Sequence, residues 1–456
     1  MNIKDDFILK NINEGYLVGG AVRDFLMGKN TVDRDIAIVG AEEFAKKIDG
    51  TFIVLDEENK IYRVVLEDKI NYLDISELQG GSIEEDLKRR DFTINAIAYD
   101  LNKEGFVDVT GGLEDLKNGI LRHIKDENFE DDPLRVLRAF RFYAITGFEM
   151  SKDLETAINK YKHLALNPSK ERIMYEIMKL FGGKYASKAL LKMDEFGLLE
   201  EIFPSVKEMK KVPPNTHHHL DLFHHVVETV HNIEELYDNA AEPVKNHLDQ
   251  TDFGGFPRIN HLKLAGFLHD IGKFSTWTIE ESGRHRFIKH DDVGSKMCVP
   301  FLKGLKFSKK QIEYISCMIK NHIYPSNVVA APDLNDKVMM RYIRKMENNI
   351  IDNIILAKSD RLSARGEAIT EEIISENLNG LDKLLNFYLE KRETMQPLPK
   401  FLDGFEVMKL KGIKQSPELG NIMKALNEAQ LNGEINTKEE AIEFVKGLKI
   451  LKNGLK

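Results

Sequence analysis

Short apolar runs rich in β-branched and aromatic residues crowd the N-terminal third: YLVGG from Tyr16, DIAIVG from Asp35, TFIVLDEE from Thr51, YRVVLED from Tyr62, INYLDIS from Ile70 and TINAIAYDL from Thr93. Runs of this length and composition predict strands. After Asp132 the pattern changes. From DDPLRVLRAFRFYA onward, apolar residues return at every third and fourth position, the spacing of one helix face, and continue so nearly to the C-terminus. The predicted fold class is therefore α+β. A head of mixed β-sheet with helices spans 1–145, an all-helical neck 146–205, a His-rich helical domain 206–370 and a helical tail 371–456. VPPN at Val212–Asn215 and QPLPKF at Gln396–Phe401 are the clearest breaks. Near the end, Thr437 and Glu440 form a capping box that opens a last amphipathic helix. The tail's lysines suit an RNA backbone as well as they suit solvent.

Composition narrows this further. At 456 residues, 42% hydrophobic and 30% charged, the chain reads as soluble and globular with several cores. It has no apolar run of about eighteen residues, and its start, MNIKDDFILKNINEGYLVGG, is too acidic and interrupted for a secretory signal; a cytoplasmic location without membrane contact is expected. Cys298 and Cys317, the only cysteines, make no CxxC pair, which suits a reducing compartment. A net charge of -9 excludes a surface coated in positive potential, so a nucleic-acid partner would be met by local patches or by metal ions.

The candidate chemistry of the head lies in its glycines and aspartates. Gly19 and Gly20 follow the strand YLV and let backbone N–H groups approach a phosphate, while Arg23 can fork two phosphate oxygens; the same Gly-Gly also describes a plain tight turn. Residues i and i+2 of a strand share a face, so Asp33 and Asp35 can grip one Mg²⁺ together. Farther on, Asp132 suits an N-cap and Pro133 the first helical position. A helix beginning there carries Arg135, Arg138 and Arg141 along one side and Leu134, Leu137 and Phe140 along the other.

GGAVRD at Gly19–Asp24, DRD at Asp33–Asp35, RRDFTINA at Arg89–Ala96, DDPLRVLRAFRF at Asp131–Phe142 and SKERIMYEI at Ser169–Ile177 stand in the order found in class II tRNA nucleotidyltransferases and bacterial poly(A) polymerases, which the chain resembles. The resemblance implies that Asp33 and Asp35 hold two Mg²⁺ ions, one lowering the pKa of an attacking 3′-hydroxyl and one steadying pyrophosphate. It assigns the triphosphate and ribose to Gly19, Gly20, Arg23, Asp24, Arg90, Asp91 and Asn95. Asp132 and Arg135 would read the base, with Arg138 and Arg141 beside the nucleotide and Lys170, Glu171, Arg172 and Glu176 bracing the reading helix. An aspartate accepts from the amino group of cytosine or adenine while an arginine donates to the adjacent ring nitrogen, so the implied substrates are CTP and ATP and the implied acceptor is a tRNA 3′ end. Complete CCA addition leads; CC-only, A-only and poly(A) addition share the motifs. Asp74 of YLDIS is a further carboxylate within reach of the metal pair.

Histidines and aspartates at scattered helix ends mark a second centre. His225 opens an apolar helix, His269 and Asp270 sit together in FLHDIGKF, His290 lies in IKHDDVG, His322 in IKNHIYPS and Asp360 in LAKSDRLSARG. Such scattered ligands describe a metal site assembled within a helical bundle. The set resembles the HD-domain phosphohydrolases. This implies His225, His269, Asp270 and Asp360 as basal ligands, His290 and His322 completing a second metal, Lys273 near a phosphate, and Ni²⁺, Mn²⁺ or Co²⁺ as the ion. His217, His218, His219 and His224 fall outside that pattern and are expected at the surface or behind the ligands. A chain in which only this centre works, or one that merely binds RNA, is the competing reading.

Overall fold

A computed structural model of the chain describes residues 3, 6–29, 34–392, 399–431 and 433–448. Two compact units divide it: Met1–Glu208 with Asp252–Leu264 and Val299–Ile312, and Met209–Thr251 with Ala265–Cys298 and Glu313–Lys456.

The first unit is built on a seven-stranded sheet of β1 (Tyr16–Val18), β2 (Asp35–Ile38), β3 (Thr51–Asp56), β4 (Ile61–Val65), β5 (Tyr72–Glu77), β6 (Ile97–Asp100) and β7 (Gly105–Asp108), in the order β3-β4-β5-β2-β1-β6-β7. Only β2 and β5 run parallel; the other neighbours are antiparallel. Period-two alternation divides its side chains between two cores. Leu17, Ile36, Ile38, Ile97 and Tyr99 pack on one face with Ala21, Val22, Ala41 and Ala45 of the helices Gly20–Leu26 and Ala41–Lys47. Val18, Ala37 and Ala98 pack on the other with Ile83 and Leu87 of the helix Ile83–Lys88. Beyond the sheet, Leu137 and Phe140 of the helix Arg135–Thr146 are buried, as are Ile173 and Ile177 of the helix Lys170–Phe181.

The strand expectations need two additions here. TINAIAYDL does not begin as a strand, because Thr93–Asn95 form a 3-10 turn before β6. Two-residue strands β8 (Ile120–Leu121) and β9 (Glu149–Met150) pair in parallel, the second inside the stretch expected to be wholly helical.

In the second unit the helices Leu222–Asp238 and Ile350–Ser363 lie side by side, tied by Thr229 Oγ1 donating to Ser363 Oγ at 3.1 Å and Asn232 Nδ2 to the same oxygen at 2.9 Å. A hairpin of β10 (Trp277–Ile279) and β11 (His285–Phe287) interrupts the helices, another departure from the all-helical expectation. The tail has a core of its own, including Val407, Ile422, Leu426 and Val445, and the Thr437–Glu440 capping box forms as expected. Part of QPLPKF, the expected break, lies outside the described residues. No helix among the described residues is long and apolar enough to cross a membrane.

Candidate functional site

Strand β1 ends at Val18, and Gly19 turns the chain with φ 73°, a conformation that favours glycine. A Cβ there would stand 3.2 Å from Arg90 Nη1 and 3.5 Å from Asp35 Oδ2, so a bare backbone, a guanidinium and a carboxylate meet at this turn. Asp35 opens β2 opposite Val18 and beside Asp74 of β5. Asp33, its expected partner on a metal, lies outside the described residues. Asp74 does not serve as a further free carboxylate: Arg63 donates to both of its oxygens at 2.7 Å and stacks on Tyr72.

A cavity of about 800 Å³ opens here, lined by Gly19, Gly20, Arg23, Asp24, Asp35, Arg90, Asp91, Asn95, Asp132, Arg135, Arg138 and Arg141. The head residues singled out in the sequence, Asp33 and Asp74 apart, thus share one wall system. Arg23 Nη1 donates to Asn95 Oδ1 at 2.7 Å while Nε and Nη2 hold Asp24. Asn95 Nδ2 in turn donates to Asp91 Oδ1 at 3.0 Å, and Arg138 donates to Asp91 Oδ2 through Nε at 2.8 Å and through Nη2. Burial pushes Asp91 up, but the Arg138 charge and these hydrogen bonds outweigh it and hold the carboxyl at about 2. Burial and the neighbouring Arg138 charge lower Arg141 to about 10, which leaves it protonated at neutral pH. The Phe142 ring separates these cations, with Arg23, Arg138 and Arg141 at 5.2, 5.6 and 4.3 Å from its centroid.

The end expected to read the base differs from expectation in one respect. The helix begins at Arg135, not at Pro133, and Asp132 closes the preceding helix Glu127–Asp131 in an extended conformation. Its Oδ1 accepts from Leu134 N at 3.2 Å and its Oδ2 from Arg172 Nη2 at 2.9 Å, so both neighbours aim the carboxylate. Arg135 Nη2 donates to the Arg89 carbonyl at 2.8 Å, and its Nη1 is buried with no protein partner. Glu176 holds Arg141 at 3.2 Å from the neck helix; Glu171 is exposed. Sequence reasoning missed Asp86, which accepts from Arg90 Nη2 at 2.9 Å, and Tyr175 and Lys179 on the cavity's rim. The i, i+4 spacing of Asp86 and Arg90 was the available signal.

In the second unit, His225, His269, Asp270 and Asp360 present ligand atoms within 4.8 Å of one another, and so do Asp270, His290 and His322. Asp270 is common to both: Oδ2 faces His225 at 3.3 Å and His269 at 3.2 Å, while Oδ1 faces His290 at 3.2 Å and His322 at 3.5 Å. His269, His290 and His322 each fix Nδ1 on a backbone carbonyl, at 2.7, 2.7 and 2.6 Å, leaving Nε2 for a ligand. Gly272 makes the packing possible, since a Cβ there would stand 2.1 Å from the His290 carbonyl oxygen. Burial opposes protonation of His269, yet Asp270 and Asp360 raise it to about 10; the pocket's field calls for positive charge. Four imidazoles and two carboxylates, with Asp270 bridging, fit divalent transition-metal ions. Lys273 Nζ lies 2.5 Å from Asp270 Oδ2. His218 belongs to this group more closely than its sequence position suggested: its ring centroid is 4.4 Å from that of His225 and its Nε2 is 3.1 Å from Lys273 Nζ. His217, His219 and His224 are exposed.

Comparison with known proteins gives a family for this fold. Residues 15–79 and 63–122 match the poly A polymerase head domain, 147–210 the probable RNA and SrmB-binding site of polymerase A, and 222–365 the HD domain. The A-adding tRNA nucleotidyltransferase of Deinococcus radiodurans is 32% identical over 443 residues, which cover 94% of each chain. The chain belongs to the tRNA nucleotidyltransferase family. A second tRNA nucleotidyltransferase, the CC-adding protein of Thermus thermophilus, is 30% identical over 453 residues, covering 96% of this chain and 95% of that one. The fold is shared with the Bacillus stearothermophilus CCA-adding enzyme solved in complex with CTP, at TM-score 0.58 and 22% identity over 98% of this chain and 97% of that one. As a tRNA nucleotidyltransferase the chain thus carries its HD domain in addition to the head and neck.

Proposed function

We propose that the chain builds or repairs the CCA end of tRNA, taking CTP and ATP without a nucleic-acid template. The supporting observation is the cavity in which the Gly19 turn, Asp35, Arg90 and the Asp132–Arg135 pair meet. Mg²⁺ held by Asp33 and Asp35 would supply activation of the 3′-hydroxyl and neutralise charge at the α-phosphorus. The chain's own residues do the rest. Backbone N–H groups beside Gly19 and Gly20, with Arg23 and Arg90, orient the triphosphate. Asp132 accepts from the base amino group and the unpartnered Arg135 Nη1 donates to the ring nitrogen beside it. Uracil and guanine carry a carbonyl where the amino group is needed, leaving buried groups unpaired at ~1–3 kcal/mol per bidentate contact.

The test supplies labelled CTP and ATP, singly and together, to tRNA transcripts ending at the discriminator base, at C and at CC, with Asp35→Ala as control. Growth that stops after CCA supports the proposal, and long A-tails on any RNA would replace it with poly(A) synthesis. A second reading, addition of CC alone or of the last A alone, is favoured by one observation: relatives that match nearly the whole chain, those of Deinococcus radiodurans and Thermus thermophilus among them, carry those names. Stopping after CC, or extending only the transcript that ends in CC, would establish it.

For the second unit we propose hydrolysis of terminal or 2′,3′-cyclic phosphates with Ni²⁺, Mn²⁺ or Co²⁺ on the His–Asp cluster. Its donor set supports this. Absence of any His269-dependent phosphatase or cyclic phosphodiesterase activity with these metals would remove it.

A further inference from the structure

The hairpin β10–β11 was expected neither from periodicity nor from any motif. Its register pairs Trp277 with Phe287 and Ile279 with His285, which puts these four side chains on one face and Thr278 and Arg286 on the other. That face starts at the metal cluster. Phe287 lines a narrow cleft with His218, His225 and Lys273, and its carbonyl oxygen accepts from His290 Nδ1 at 2.7 Å. Lys273 Nζ lies 5.5 Å from the Phe287 ring centroid, and the Trp277 and His285 rings stand 5.5 Å apart. The result is a half-buried aromatic ribbon that leads away from the ligands and ends at Ile279, 58% exposed. Lys273 lines the cleft itself, and, besides burial, the charges of Arg284, Lys273 and Arg361 all bear on His217, next to His218 of that cleft.

A phosphate needs cations and metal, and gains nothing from a continuous aromatic face. Rings beside cations are the arrangement on which nucleobases stack. We infer that the β10–β11 face stacks the base of a nucleotide whose phosphate sits at the His–Asp cluster, so that this centre prefers nucleoside phosphates to simple phosphate esters. The inference rests on the phosphohydrolase reading of that cluster. A free nucleotide and the 3′ end of an RNA offer the same base and phosphate.

Trp277 is the chain's only tryptophan, so its fluorescence reports on this hairpin. The full chain is titrated with adenosine 2′-monophosphate, with a short RNA bearing a 3′-phosphate, and with ribose 5-phosphate, which lacks a base. Stacking quenches Trp277 with the first two only, and the quench persists in Arg135→Ala, which disables the base-reading end of the other cavity. His285→Ala keeps the tryptophan and weakens the apparent affinity about 10-fold. In the Mn²⁺-loaded protein, Trp277→Ala shifts the KM ratio between adenosine 2′-monophosphate and p-nitrophenyl phosphate about 10-fold against the nucleotide, and Trp277→Phe restores it. A stronger quench by RNA than by the mononucleotide assigns the ligand to an RNA end, and the reverse to free nucleotides. Equal quenching by ribose 5-phosphate, or an unmoved KM ratio, overturns the inference. Quenching without hydrolysis of any ester removes the phosphohydrolase reading and leaves the hairpin as a nucleotide-binding face.

Discussion

The cavity of the first unit and the cluster of the second both gather charge, but they balance it in opposite ways. In and behind the cavity walls five carboxylates already have arginines: Asp24 with Arg23, Asp86 with Arg90, Asp91 with Arg138, Asp132 with Arg172 and Glu176 with Arg141. Paired in this way, the walls are stable without a ligand and present directional donors to a bulky anion that must come and go. In the cluster, four imidazoles and Lys273 converge on the buried Asp270, and two of the imidazoles also face the partly exposed Asp360. Donors aimed at one point in a dry interior are costly to the fold until a cation joins them. One site is organised around a molecule, the other around an ion.

The largest expected effect tests which site transfers nucleotides. Asp35→Ala should lower incorporation into tRNA by about 10³-fold, the scale of losing charge stabilisation in the transition state, while the thermal midpoint moves little. Unchanged incorporation would place the reaction elsewhere. Asp91→Ala attacks the pairing itself. It leaves Arg138 with the more distant Glu176, 3.7 Å away, and should cost about 3 kcal/mol by urea unfolding, the low end for a broken buried pair. The acid limb carries the matching signature. A folded pKa of about 2, below an unfolded value of about 3.9, contributes stability that is complete above about pH 5 and is lost as pH falls through 2, roughly 2–3 kcal/mol in all. Asp91→Asn should flatten that limb.

The cluster predicts a different dependence. Mn²⁺ at about 100 times its Kd should stabilise the chain by about 2.7 kcal/mol. The gain should vanish with chelator and in His269→Ala, yet survive in Asp35→Ala. If Asp35→Ala abolished it too, the contrast drawn here would fail. The smallest effect concerns aim. Arg172, half exposed, orients Asp132, and Arg172→Ala should relax discrimination of CTP against UTP about tenfold, measured as a ratio of kcat/KM, within the ~1–3 kcal/mol of a bidentate contact.

Much of this was legible in the sequence because the signals were periodic or local. Alternation in DIAIVG marks a strand whose two faces enter two cores, that in YRVVLED a strand with one buried face, and the GGAVRD and FLHDIGKF motifs mark turns that carry candidate site residues. What escaped depends on contacts between distant segments. Pro133 looks like a first helical residue, but Asp132 spends its carboxylate on Leu134 N and Arg172, and the helix waits until Arg135. Trp277, Thr278 and Ile279 are β-formers in too short a run to announce a strand; pairing across the turn at Gly283 creates the hairpin. His218 is one of three consecutive histidines, and only the fold selects it as the one against His225. Asp74 carries the same side chain as Asp35 in the adjacent register position, and only the fold shows that Arg63 holds it there.

Gly272 shows how such contacts would look to an experiment that knows nothing of coordinates. Its φ of -73° is open to any residue, and it donates no ligand. Yet a methyl group would meet the His290 carbonyl oxygen at 2.1 Å and the Gly294 nitrogen at 2.7 Å. A saturation scan scored on survival would rank position 272 with the histidines and invite a chemical role. It has none: its intolerance records a missing volume, and compensating substitutions should be sought along the helix His290–Gly304, not among the ligands.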